Sequence, residues 1–307
     1  MSSSDPLRDA LDWQRRLAEA NATAAGLDDV RAINDRFMKE RAGELASDVS
    51  VESVSADGVP AEWVTAGDQT SGPVVIFLHG GGFMLGAAAE NRTWTSSLAR
   101  SIGGRVFGAD YRLAPENAHP AQVDDACAAY RWLLKQGTPA DEIVFLGESA
   151  GGGLVLAALL ALKEAGDTMP AAAVLTSPLV DFTLSSPSLD LNAATDTFVN
   201  REILQMMLDA LLQGQDAASV SPLQHDLGGL PPLLIQVGSG EAIFDDSARL
   251  AEAAESFGVD VEMEVWDDMI HLWHGFPDLP QAAEATARIA DFVLTTTGTA
   301  STGEGVR

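Results

Sequence analysis

From about residue 73 onward, short runs rich in β-branched, aromatic and leucine residues recur at 74–78, 105–109, 143–146, 171–175, 233–237 and 261–265. Between most of them lie alanine- and leucine-rich stretches of helical character, including 124–135, 152–163 and 247–257. Apolar strands that alternate with helices predict a mainly parallel sheet covered on both faces. The segments on either side of Asp57 and Gly58 alternate polar with apolar instead, which predicts an antiparallel hairpin at the edge of that sheet. Two stretches break the rhythm. Residues 1–45 read as two helices with charged faces, and 185–224 inserts a helical block at 201–213. Helices hung outside a doubly wound sheet are candidates for a cap over the strand ends. The expected organisation is therefore a helical cap at 1–45, a core at 46–294 interrupted by a cap insertion at about 185–224, and a disordered tail at 295–307.

Composition narrows the function classes. Among 307 residues, 45 acidic side chains face 18 basic ones, a net charge of −27, and the carboxylates are spread along the chain. Such a field repels nucleic acid and anionic membranes, so neither is an expected partner. It speaks to solubility and hydration, not to chemistry. The single cysteine, Cys127, excludes an intrachain disulfide and sits in a helical pattern as a small core residue. The N-terminal "MSSSDPLRDALDWQRR" lacks a signal-peptide pattern, and the longest apolar stretch, 154–162, is too short to span a bilayer. A cytoplasmic protein is expected.

Two of the strand-like runs end in glycine-rich corners. Gly147-Glu148-Ser149-Ala150-Gly151 lies between a predicted strand and a predicted helix, the context that a nucleophile elbow requires. Small residues two places before and after the serine let the chain turn tightly enough to lift its hydroxyl clear of the sheet. His79-Gly80-Gly81-Gly82 follows another strand, and its glycines leave backbone N–H groups free to face a developing oxyanion. In hydrolases built this way, such a loop acts together with the N–H of the residue after the nucleophile, here Ala150. Gly81, Gly82 and Ala150 are thus the candidate oxyanion donors, and His79 is a structural residue. A phosphate cradle would need a lysine or a glycine spacing that this loop lacks.

Together, "HGGGF" at 79–83, "DYRLAPE" at 110–116 and "GESAGG" at 147–152 resemble the hormone-sensitive-lipase-like branch (bacterial family IV) of the α/β-hydrolases over roughly residues 70–293. The resemblance implies an α/β-hydrolase fold with a helical cap. It also implies a serine carboxylesterase acting on a small-molecule ester without cofactor or metal, and a homodimer through the exposed last strand of the sheet. One departure is Glu148, where the family usually carries aspartate. The family's Met-x-His-x-aromatic pattern selects His271, with His274 the alternative; the pair is a weak metal signature. The triad acid should lie in "GEAIFDDS" at 240–247, where the family's Asp-Pro-Leu is absent. Aligned on the acidic pair that follows, Glu241 takes the position, with Asp245 the alternative. Glu148, beside the nucleophile, is expected to point away from it. Ser149, His271 and Glu241 form the expected triad. Asp110, Tyr111 and Arg112 are expected to brace the oxyanion loop. Phe83, Met84 and Leu85 from that loop, with Phe198, Met206, Met207 and Leu211 from the cap, are expected to line a pocket for short to medium acyl chains. Lactone and arylacetamide hydrolysis would use the same apparatus. The gibberellin receptors of plants, similar to this family but lacking the histidine, supply a ligand-binding alternative.

Overall fold

The computed structural model describes residues 5–68 and 71–299. Two helices, α1 (Pro6–Asn21) and α2 (Leu27–Ala42), precede the hairpin β1 (Val49–Ala56) and β2 (Val59–Ala66). Then come β3 (Val74–Leu78), α3 (Arg92–Ile102), β4 (Arg105–Ala109), α4 (Ala121–Lys135), β5 (Ile143–Glu148), α5 (Ala150–Ala165) and β6 (Ala172–Thr176). The excursion after β6 carries α6 (Ser188–Leu191), α7 (Arg201–Leu212) and α8 (Ala217–Val220). The chain closes with β7 (Leu233–Gly238), α9 (Phe244–Ser256), β8 (Val261–Trp266) and α10 (Pro280–Thr296).

The strands form one eight-stranded sheet in the order β1-β2-β4-β3-β5-β6-β7-β8. The hairpin is antiparallel and β2 pairs antiparallel with β4, while β4, β3, β5, β6, β7 and β8 all run parallel to one another. This is the fold class that the alternation of elements predicts. Each of the six runs is a strand, its ends within two residues of the expected ones.

Why the central strands read as unbroken apolar runs is visible in their packing. Val74, Ile76 and Leu78 of β3 join one core with α4, α5 and α9, whereas Val75 and Phe77 join a second core with α3 and α10. Both faces are covered, so no position is free to be polar. A third apolar cluster lies at the C-terminal end of the strands. There Trp13, Leu17, Phe37 and Met38 of α1 and α2 pack on Met269, Leu272, Trp273 and Phe276 of the segment after β8.

Residues 295–299, assigned to a disordered tail, are ordered. Helix α10 runs to Thr296, Thr297 donates to the Val293 carbonyl through both N–H and hydroxyl, and Thr299 N–H reaches the Leu294 carbonyl. Residues 300–307 lie outside the described residues. No described helix is long and apolar enough to cross a membrane.

Candidate active site

The serine corner is built by close backbone approach. Ser149, between β5 and α5, has φ 55° and ψ −119°, a strained conformation for a residue with a side chain. A Cβ on Gly147 would lie 2.2 Å from the Gly151 carbonyl oxygen, and one on Gly151 would lie 2.1 Å from that of Leu78. Only glycine fits either position, so the flanking glycines are what permits the turn.

The imidazole of His271 faces this serine, its Nε2 2.9 Å from Ser149 Oγ. Its Nδ1 lies 2.7 Å from Glu241 Oε2. The other Glu241 oxygen accepts from the Gly238 N–H and the Ser177 hydroxyl, each at 2.7 Å, so the fully buried carboxylate is fixed at both oxygens. Burial disfavours the His271 cation, but the hydrogen bond and charge of Glu241, helped by the charges of Asp196 and Glu148, outweigh it. The imidazole is held above the ordinary histidine range. From the cap, the buried Gln14 side chain donates to the His271 backbone carbonyl at 2.6 Å.

The alternatives are committed elsewhere. His274 bonds to Gln236 Oε1 at 2.8 Å and packs against Trp273 and Trp94; burial, with a smaller push from His271, drops it to about 3. Asp245 accepts the Ser188 N–H, and Asp246 accepts the Val180 and Asp181 N–H groups and the Ser186 hydroxyl. Both open α9, yet their side chains pin the segment after β6. Among the described residues, no group of three or more His, Cys, Asp or Glu side chains is arranged to hold a metal ion. The Cys127 thiol is buried, and burial pushes it up to about 11.

At the histidine corner, Gly81 and Gly82 have φ of 106° and 61°. Among the described residues, neither of their N–H groups donates to another group of the chain. His79 is buried and stacked on Tyr111, whose hydroxyl donates to the His79 carbonyl at 2.8 Å. Asp110 accepts the Ala88 N–H just beyond the loop. Arg112 departs from expectation: it pairs with Asp125 and the Ala121 carbonyl, because the chain has already turned toward α4. The cap residue Arg31 braces the loop instead, donating to the Met84 and Ala114 carbonyls. Arg31, Gln14 and Ser177 left no mark in the sequence, since each acts through a contact distant along the chain.

Ser149, His271, Gly81 and Gly82 border a cavity of about 400 Å³ closed by α1, α2 and α7. Leu85, Phe198 and Met206 line it, as does Met207. Phe83 and Met84, expected beside them, do not, and neither does Leu211, which is buried in the core. At φ 62° Phe83 packs its ring on Phe182 inside the core, and Met84 is buried in the same core. Glu148, expected to point away from the nucleophile, lines the cavity next to it; burial pushes its carboxyl up, partly offset by Arg41.

A family model described as the alpha/beta hydrolase fold matches residues 75–275. The chain is similar to an acetyl-hydrolase of Streptomyces hygroscopicus, 39% identical over 86% of this chain and 90% of the relative. An esterase of Acinetobacter venetianus is 37% identical, covering 80% and 82% respectively. The crystal structure of an esterase from the bacterial hormone-sensitive lipase family matches with a TM-score of 0.92 and 41% identity, over 97% of this chain and all of that one.

Proposed function

The chain belongs to the hormone-sensitive-lipase-like branch of the α/β-hydrolases, and from that premise we propose that it hydrolyses short- to medium-chain carboxylic esters through an acyl-enzyme on Ser149. One observation carries the reading. The hydrogen-bonded series Ser149, His271, Glu241 opens onto a cavity bordered by unengaged glycine amides. His271 takes the hydroxyl proton as Ser149 attacks the ester carbonyl, and Glu241 holds the ring in the tautomer whose Nε2 is free to accept it. The N–H groups of Gly81, Gly82 and Ala150 bind the oxyanion; each such donor is worth roughly a hundredfold to a thousandfold in rate. His271 then returns the proton to the leaving alcohol, and water resolves the acyl-enzyme by the same route.

The family resemblance also supports a homodimer through the edge strand β8, where Val265 is 47% exposed; light scattering at micromolar concentration tests it. For the chemistry, wild type and Ser149→Ala are compared on p-nitrophenyl butyrate, with folding followed by circular dichroism. Turnover that vanishes in a folded variant supports the reading. An inactive wild type across acyl lengths and salt concentrations favours the ligand-binding alternative.

A further inference from the structure

The acid of the triad sits on a short turn, residues 239–243, between β7 and α9. Ser177 and the Gly238 N–H fix its carboxylate from the core. The backbone of the turn is held by the excursion after β6. Asn192 Nδ2 donates to the Glu241 carbonyl at 2.8 Å, and Asp196 Oδ2 accepts from the Ala242 N–H at 2.9 Å. Both ends of the peptide group that follows Glu241 are thus bonded to one stretch of chain. The Thr195 hydroxyl lies 2.9 Å from the carbonyl oxygen of Gly240, on the peptide group before Glu241. The stretch is itself closed, because the Thr195 and Asp196 N–H groups both donate to the Asn192 carbonyl.

Asp196 reaches further. Its other oxygen accepts the Phe198 and Val199 N–H groups at 2.9 and 2.8 Å. Phe198 stacks on the His271 imidazole with 6.1 Å between ring centres, and it lines the cavity. One buried carboxylate therefore ties the triad acid to the residue that lies over the triad base. Alanine at 242 makes the tie possible. The family's Asp-Pro-Leu would place proline there, and proline fixes φ but has no N–H to donate. Alanine leaves the backbone freer and supplies the donor that Asp196 accepts. Four titratable groups act on the imidazole: Glu241 on its turn, Asp196 on the excursion, Glu148 at the end of β5 and His274 on the same segment. Burial lowers the His271 pKa, and the three carboxylates, Glu241 first, outweigh it. Removing the Asp196 charge therefore lowers that pKa, and a slackened Glu241 contact lowers it further.

We propose that Asp196, with Asn192, is a positioning residue for the triad, holding the Glu241 turn by hydrogen bonds where proline would hold it by its ring. That role rests on the esterase reading only in its effect on turnover. Asp196→Asn keeps the shape but replaces one acceptor oxygen with an NH2 donor. Its kcat is expected to fall about tenfold, with a smaller change in KM, as the turn drifts. The acid limb of kcat/KM should lie at lower pH than in wild type. Asp190→Asn removes a charge from an exposed, Arg201-paired position of the same excursion and is expected to change neither. NMR of the proton shared by His271 Nδ1 and Glu241 reads the contact without turnover. In Asp196→Asn its resonance should move upfield and exchange faster with water. Should Asp196→Asn fail to fold, Asn192→Leu, at a half-buried position, decides by the same proton and by a fall in kcat of about threefold or more. A variant that melts earlier yet keeps the wild-type kcat, acid limb and proton resonance overturns the positioning role. So does an equal limb shift in Asp190→Asn, which assigns the effect to surface charge. A wild type inactive on esters whose proton resonance still depends on Asp196 leaves the positioning role standing and removes the esterase reading instead.

Discussion

At the scale of single residues, the chemistry depends on which carboxylate reaches which ring nitrogen. Glu241→Gln keeps the shape but lets the side-chain amide donate, favouring the wrong imidazole tautomer. Its kcat is expected to drop by roughly a thousandfold to ten-thousandfold. Asp245→Asn, whose native partner is the Ser188 N–H, is expected to stay within about threefold of wild type in the same assay, an ordinary outcome for a residue outside the reacting groups. Equal losses in the two variants would contradict the assignment of Glu241. The pH profile follows from His271. The base must be neutral to accept a proton, and Glu241 holds its pKa above the ordinary 6.5 despite burial. The acid limb of kcat/KM should therefore have its midpoint above pH 6.5, with activity rising through it toward alkaline pH. The limb should move to lower pH in any Glu241 variant active enough to measure. The serine corner was legible in five residues because its requirements are local steric ones. The partners of His271 were named only through the family resemblance, because Glu241 and Ser149 are 30 and 122 residues away in the chain and no local pattern relates them.

At the scale of elements, the two N-terminal helices do more than cover the cavity. Trp13, Leu17, Phe37 and Met38 pack on the segment that carries His271, and Gln14 holds its carbonyl. Replacing Gln14 with leucine leaves that buried carbonyl unpaired and lets the imidazole drift. A misplacement of about 1 Å can cost up to about a hundredfold in rate, so a fall in kcat of about tenfold with little change in KM is expected from stopped-flow and steady-state assays. A change confined to KM would mean that α1 serves substrate access alone. The turn elements make a different prediction. Gly147→Ala would press its new methyl into the Gly151 carbonyl at 2.2 Å, so thermal unfolding should report a loss of several kcal/mol, at the upper end for point substitutions. Helical character at 1–45 and at 201–213 could be read from periodicity. Which neighbours those helices touch could not, because an amphipathic face states that it needs a partner without naming it.

At the scale of the whole molecule, charge is the dominant departure from an ordinary enzyme. Arginines such as Arg15, Arg92, Arg112, Arg131 and Arg288 are each paired with a carboxylate, and the excess of acidic groups still leaves the surface repelling itself. Raising the salt from about 0.05 to about 1 M screens that repulsion more than it weakens the ion pairs, so the melting temperature measured by calorimetry should rise. A melting temperature that falls over this range would show that the ion pairs outweigh the repulsion. The sequence by itself determined the alternating strands and helices, the mainly parallel sheet, the edge hairpin and the two glycine corners. Each rests on backbone sterics or on burial patterns that repeat within a few residues. Only the tertiary structure decided that Glu241 and not Asp245 meets His271, that Arg31 and not Arg112 braces the glycine loop, and that Phe83 and Met84 turn into the core. Those outcomes depend on loop paths and on packing between elements far apart in the chain, and no local pattern encodes where two distant side chains will be brought together.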